Sequence, residues 1–145
     1  MVDILKIKAL LSLEEGVRLF PYTDTRGKLT VGIGHNLSDD GISTGVANLM
    51  FVEDLTNAQV VLQTCLPSWQ TLDEVRQAVM LDLAFNLSHE LFGFRTFLGY
   101  MADKHFDDAA SDLVTTLWYT QVGVRGPRLV TMLRSGLWPN GFKFI

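Results

Sequence analysis

Residues 14–35 read Glu14-Glu15-Gly16-Val17-Arg18-Leu19-Phe20-Pro21-Tyr22-Thr23-Asp24-Thr25-Arg26-Gly27-Lys28-Leu29-Thr30-Val31-Gly32-Ile33-Gly34-His35, and the fold turns on them. Here a helix stops and a hairpin starts. Upstream, Ile4, Ile7, Leu10, Leu11 and Leu13 recur at close to helical spacing, which predicts a helix over residues 2–14 with Gly16 as its stop. Downstream, Val17, Leu19, Leu29, Val31 and Ile33 alternate with other residue types, as strands do. Asp24-Thr25-Arg26-Gly27 is turn chemistry, because an Asp side chain bonds nearby backbone and Gly accepts positive φ. A small antiparallel sheet is expected, with its hairpin turn near residues 24–27. Gly32 and Gly34 weaken the second strand and point to a close backbone approach.

Working outward, residues 36–42 read as a polar loop. Ser43 is a suitable N-cap for a helix reaching about residue 65, with Val46, Leu49, Met50, Leu55, Val60 and Leu62 as its apolar face, and Pro67 ends it. Short helices are expected near 71–87, 94–103, 107–117 and 124–135. Asp107-Asp108 opens one of them, where a helix dipole favours negative charge. The expectation is one α+β domain over residues 1–145 with segregated elements. Residues 15–42 would form a small sheet-bearing lobe, 43–65 a connecting helix, and 1–14 with 66–145 a larger helical lobe.

The chain has 145 residues, 48% of them hydrophobic, enough to bury a core without staples. Its formal net charge is -4, which gives no basic footprint for nucleic acid. Arg125, Arg128 and Arg134 are close in sequence and would make a local basic patch. Cys65 is the lone cysteine, so neither an internal disulfide nor a Cys-rich metal site can form. Charges at Asp3, Lys6 and Lys8 interrupt the first apolar residues, and neither a signal peptide nor a membrane anchor fits there. Trp69, Trp118 and Trp138 read as core side chains rather than sugar platforms. Gly32-Ile33-Gly34 lacks the third glycine of a dinucleotide loop, since Leu37 stands in its place.

Glycoside hydrolysis needs two carboxyl groups in unequal environments, one protonated and one ionised. Glu15, at the end of an apolar helix, would be partly desolvated, which disfavours its charged form. Asp24, in a polar turn, would stay ionised. By themselves these residues also fit a helix-end charge and a turn former.

The surrounding pattern is more specific. An E-G pair at Glu15-Gly16, a short strand, a D-x-x-G turn at Asp24 to Gly27, and T-x-G-x-G-H from Thr30 to His35 follow one another in order. This resembles the phage lysozyme family typified by the T-even phages. The likeness continues through Leu72 to Gln77, Phe85-Asn86-Leu87, Gly93-Phe94, Phe106 to Ala110 and Trp118-Tyr119, with Arg125 and Arg128 beyond. Two departures stand out. Ser88 replaces the usual glycine after Phe85-Asn86-Leu87, and the segment between His35 and Ile42 is much shorter than in the T-even enzymes. The resemblance implies a lysozyme-like fold and cleavage of the β-1,4 bond between N-acetylmuramic acid and N-acetylglucosamine in peptidoglycan, with inversion. It implies Glu15 as general acid, Asp24 as assistant to the attacking water, and Thr30 beside that water. Asn86, Gly34 and Phe94 are implied to meet substrate. His35 with Asp54, Arg125 with Glu15, and Arg128 with Glu14 are implied as supporting pairs. No cofactor and no metal is implied.

The same resemblance implies a monomeric endolysin acting on glycan strands. It would wait in the host cytoplasm until a separate holin-type pore releases it, and virion-associated placement is the alternative. Rival readings are a non-catalytic wall-binding module, a structural phage component and a chitinase-like hydrolase. Intact Glu15, Asp24 and Thr30 argue against the first, and the absence of repetitive segments against the second. The chain ends on an apolar tail, residues 137–145, expected to dock on the helical lobe or to contact an envelope.

Overall fold

The computed structural model describes residues 2–143. It comprises two compact units, Met1–Met50 and Phe51–Ile145. In the first unit, α1 (Ile4–Glu15) starts at Asp3, whose carboxylate accepts the Leu5 N–H at 2.8 Å. The helix stops at Gly16, whose N–H returns to the Ser12 carbonyl at 3.0 Å. Strands β1 (Arg18–Thr23) and β2 (Leu29–Gly32) then pair antiparallel, with Tyr22 opposite Thr30 and Thr23 opposite Leu29. The ladder is irregular between Arg18 and Tyr22. Pro21 falls in that gap, where it has no N–H to give. Strand β3 (His35–Asn36) pairs antiparallel with β2, giving a three-stranded sheet in the order β1-β2-β3. The expected α+β architecture with a small antiparallel sheet is present.

Residues 36–42 are not the plain loop expected from their polarity. Leu37–Asp40 form a one-turn helix, α2. Asn36 caps it, accepting the Asp39 N–H at 3.1 Å and donating to the Asp39 carboxylate at 2.8 Å. Lys28 Nζ holds the other Asp39 oxygen at 2.7 Å, and Ser38 Oγ accepts the Leu29 N–H at 2.8 Å. These bonds tie the turn to β2. The two donors hold the Asp39 carboxyl below the usual aspartate range, Lys28 more than Asn36.

The division between the units falls within α3 (Thr44–Cys65), which Ser43 caps as expected, its Oγ accepting the Val46 N–H at 3.2 Å. In the second unit, α3 buries Ala58, Val61 and Leu62. A 3-10 turn at Trp69–Thr71 leads to α4 (Glu74–Leu87), followed by a 3-10 segment at Ser88–Gly93. Then come α5 (Arg95–Ala102), α6 (Phe106–Val114), α7 (Leu117–Gln121) and α8 (Arg125–Ser135). The helix expected near 107–117 ends at Val114, and α7, which the residues did not suggest, follows it. Thr115 and Thr116 turn their N–H groups back to the Asp112 and Leu113 carbonyls, and Thr116 Oγ1 caps α7 through the Tyr119 N–H.

Helix α4 is the centre of this unit. It buries Val75, Val79, Met80, Leu83, Ala84 and Leu87, a stripe recurring every three or four residues. Around it Leu62, Leu91, Phe97, Met101, Leu113 and Leu133 are fully buried. Truncating one such leucine to alanine costs about 2–5 kcal/mol. Asp73 caps α4, and Arg76 ties its first turn to the end of α8. The guanidinium pairs with Asp73 at 2.8 Å, donates to the carbonyls of Leu133 at 2.8 Å and Arg134 at 3.0 Å, and lies 3.8 Å over the Phe106 ring. Two carbonyls orphaned by the end of α8 are satisfied this way. Trp138 packs on the core and stacks on Phe142, centroids 5.0 Å apart. Phe144 and Ile145, which complete the apolar tail, lie outside the described residues.

Candidate active site

The first unit carries Glu14, Glu15, Asp24, Thr30, Gly34 and His35. Asp24 sits where the chain reverses, and its carboxylate organises the reversal. Oδ1 accepts the Arg26 and Lys28 N–H groups, each at 2.8 Å, and the Arg26 guanidinium stands 3.7 Å from Oδ2. The backbone N–H of Lys28 is the largest cause that holds the Asp24 carboxyl below the usual aspartate range. Partial burial opposes it, and the Arg26 N–H and charge add to it. The carboxylate is therefore ionised at neutral pH, as a polar turn requires.

Thr30 is buried, and its hydroxyl donates to the Lys28 carbonyl at 3.2 Å. With its proton committed, Thr30 Oγ1 keeps lone pairs to accept a hydrogen from water. Lys28 thus links two expected site residues: its N–H goes to Asp24 and its carbonyl to Thr30.

Glu15 is the last residue of α1, and its side chain is exposed rather than desolvated as its helix-end position suggested. Its neighbour in space is Gly34. A Cβ at Gly34 would lie 3.1 Å from the Glu15 Cγ, Cδ and Oε2 atoms. Gly34 also has φ of 72°, a left-handed conformation that glycine takes without strain. The glycine is therefore what lets the β2–β3 turn approach the Glu15 carboxyl. His35 is exposed on β3, its Nε2 against the Gly41 carbonyl.

The second unit carries Asp54, Asn86, Phe94, Arg125 and Arg128. Asn86 and Phe94 share a recess of about 320 Å³ with Glu90, Trp118 and Gln121 among its lining. The indole of buried Trp118 donates to Asn86 Oδ1 at 2.6 Å, which fixes the amide and leaves its NH₂ as the outward donor. Arg125 is held by Asp82, Nε to Oδ1 at 2.8 Å. Asp54 and Arg128 are exposed. The implied pairings of His35 with Asp54, Arg125 with Glu15 and Arg128 with Glu14 each run from one unit to the other.

The three arginines near the C-terminus do not form one basic patch. Arg134 lines a recess with Arg76 and His105, Arg128 one with Trp138 and Pro139, and Arg125 one with Phe51 and Asp82. Arg134 lies nine residues beyond Arg125 on α8, about half a turn out of phase, so these two point to opposite faces. Among the described residues no group of three His, Cys, Asp or Glu side chains converges in a way that would hold a metal ion, and no helix is long and apolar enough to cross a membrane. Sequence reasoning missed Trp118, Asp82 and Lys28 as organisers of the site residues. The Trp118–Asn86 and Arg125–Asp82 contacts span 32 and 43 residues, beyond any local pattern.

Comparison with known proteins adds a family to this geometry. The chain matches the family described as Phage lysozyme over residues 12–134. It is 22% identical over 160 aligned positions to a protein named Probable T4-type lysozyme 1 of Dictyostelium discoideum, covering 90% of this chain and 94% of that protein. The same identity and coverage hold for Probable T4-type lysozyme 2 of that organism. It is also 25% identical over 156 positions to the Pre-baseplate central spike protein Gp5 of Enterobacteria phage T4, covering 88% of this chain but 27% of the spike protein.

Proposed function

Because the chain belongs to the phage lysozyme family, we propose that it cuts the β-1,4 bond between N-acetylmuramic acid and N-acetylglucosamine in peptidoglycan. Family membership supports the coarser assignment, a lysozyme acting as a glycoside hydrolase. The finer reading rests on the inequality of two carboxyl groups. Asp24 accepts two backbone N–H groups and stays ionised. Glu15 is exposed, and among the described residues of its unit it accepts no hydrogen bond, so its oxygens are open to a leaving sugar oxygen. Two carboxyls made different by their surroundings are what acid-assisted glycoside cleavage requires.

In this reading Glu15 gives its proton to the leaving oxygen. Asp24 assists the water that attacks the anomeric carbon, and Thr30 Oγ1 accepts a hydrogen from that water and aims it. Inversion at the anomeric carbon follows if the carboxyls stand about 6.5–9.5 Å apart with the water between them. Asn86 donates its free NH₂ hydrogens to an acetamido carbonyl or sugar hydroxyl, Phe94 offers apolar surface beside it, and Gly34 leaves room for the sugar at Glu15. His35 with Asp54, Arg125 and Arg128 support these groups. The protein acts as a monomer on glycan strands. As an endolysin it stays in the host cytoplasm until a separate pore releases it. A virion-borne position is the second reading, favoured by the likeness to the phage T4 spike protein.

Clearing of purified cell walls tests the assignment. Glu15→Gln should slow clearing by about 10²–10⁴-fold, the usual worth of a general acid. A Glu15→Gln protein that clears walls as fast as its parent would overturn the role given to Glu15.

A further inference from the structure

Within the first unit, two successive residues of α2 hold two successive residues of the Asp24 hairpin. Asp39 Oδ1 accepts from the Lys28 ammonium at 2.7 Å, and Ser38 Oγ accepts the Leu29 N–H at 2.8 Å. Asn36 grips Asp39 from the other side: its amide donates to Asp39 Oδ2 at 2.8 Å, and its Oδ1 accepts the Asp39 N–H at 3.1 Å. Both carboxylate oxygens are engaged, so the carboxylate cannot swing away from Lys28 without losing its bond to Asn36.

The backbone of Lys28 is bonded to both site residues of the hairpin. Its N–H donates to Asp24 Oδ1 at 2.8 Å, and its carbonyl accepts the Asp24 N–H at 2.8 Å and the Thr30 hydroxyl at 3.2 Å. A displacement of this one residue moves the Asp24 carboxylate and the Thr30 hydroxyl together. The hairpin by itself holds it loosely. Thr23 opposite Leu29 is the last pair of the β1–β2 ladder, so Lys28 lies beyond it. Gly27 before it, with φ of 78°, is the residue type with the widest backbone freedom.

An exposed ion pair adds little to stability. The Lys28 and Asp39 side chains are 41% and 51% exposed, so their pair serves the geometry of the hairpin more than its folding. We propose that Lys28 and Asp39 are positioning residues of the hydrolase: α2 braces Lys28, and Lys28 sets the spacing of Asp24 and Thr30 about the attacking water. The inference rests on the roles that the proposed function gives to Asp24 and Thr30. It extends the site to Asp39 and Asn36, to which that function gives no part.

The test uses the full chain, soluble peptidoglycan fragments as substrate, NMR titration of the Asp24 carboxyl, and thermal melts. Asp39→Asn separates position from charge. The negative charges of Asp24 and Asp39 oppose each other, so removing that of Asp39 would by charge alone push the Asp24 midpoint further down. A Lys28 no longer braced loosens the N–H that is the largest cause of the lowered Asp24 value, which pushes the midpoint up. Positioning therefore predicts a rise toward the ordinary aspartate value. It also predicts a kcat lower by about three- to tenfold, since a 1 Å displacement costs about a hundredfold and this one is smaller, with KM and Tm nearly unchanged. Lys28→Met should lower kcat likewise while leaving the bonds of Asn36 in place, and Lys28→Arg should recover most of that loss. A kcat like the parent's in both Asp39→Asn and Lys28→Met, with the Asp24 midpoint of Asp39→Asn pushed down, makes the positioning role wrong while cleavage stands. An Asp24 midpoint that rises in Asp39→Asn while the parent protein cuts no fragments makes the proposed hydrolysis wrong while the brace stands.

Discussion

Replacing Gly34 with alanine separates backbone strain from displacement of the catalytic acid. Gly34 has φ of 72°, where a Cβ costs about 1–2 kcal/mol. In a chain of this length that lowers Tm by roughly 2–8 °C. The added Cβ also meets Glu15 Cγ, Cδ and Oε2 at 3.1 Å, closer than the 3.4–4 Å of ordinary contact. The Glu15 side chain must then yield by a few tenths of an ångström. A displacement of about 1 Å costs about a hundredfold in rate, so a loss of about tenfold in wall clearing is expected. Gly32 supplies the control: its φ is 68°, yet nothing lies within 4 Å of a Cβ built there. Gly32→Ala should lose similar stability and keep clearing within about twofold of the parent once Tm is accounted for. Thermal melts and initial clearing rates of both variants measure this. Equal rates for the two alanine variants would refute the claim that Gly34 makes room for the acid.

Arg76→Met keeps the bulk of a side chain that is 14% exposed but removes its bonds to Asp73 and to the Leu133 and Arg134 carbonyls. A loss of about 2–4 kcal/mol in urea denaturation is expected, and a loss below about 1 kcal/mol would contradict the bridging role. For Asp24, NMR titration of the carboxyl should give a midpoint below the ordinary value of about 3.9. Because the folded carboxyl is the more acidic, its stabilising contribution is present above the unfolded pKa and disappears as pH falls through the lowered folded value. Arg26→Ala should leave most of that shift in place, since the Lys28 N–H is its largest cause. Trp118→Phe keeps a buried aromatic and removes the donor to Asn86, which should cost about 1 kcal/mol. It should also raise KM on soluble fragments more than it lowers kcat, and the reverse pattern would count against Asn86 as a substrate contact.

The elements legible in the sequence were those with a long period or a hard stop. Helix α1 ends at Gly16, Ser43 caps α3, and the hairpin turns at Asp24 as the residues suggested. Leu37–Asp40 reads as loop in the sequence because four residues show no periodicity, and its helix depends on Asn36 and Lys28 holding Asp39. The break between α6 and α7 was hidden because Thr115 and Thr116 interrupt no apolar stripe. In the site, Asp24 could be read locally since its partners lie two and four residues away. Asn86 and Arg125 could be singled out, but not their partners, because Trp118 and Asp82 reach them only through the folded core. The desolvation expected of Glu15 did not follow from its helix-end position, because a helix end buries nothing by itself.

The central claim is tested most directly by mass analysis of peptidoglycan digested in water enriched in heavy oxygen. Cleavage by Glu15 should give fragments with one heavy oxygen at the reducing end of N-acetylmuramic acid, formed by the parent and far more slowly by Glu15→Gln. Heavy oxygen at an N-acetylglucosamine end or a peptide carboxyl, or equal incorporation with Glu15→Gln, would contradict it.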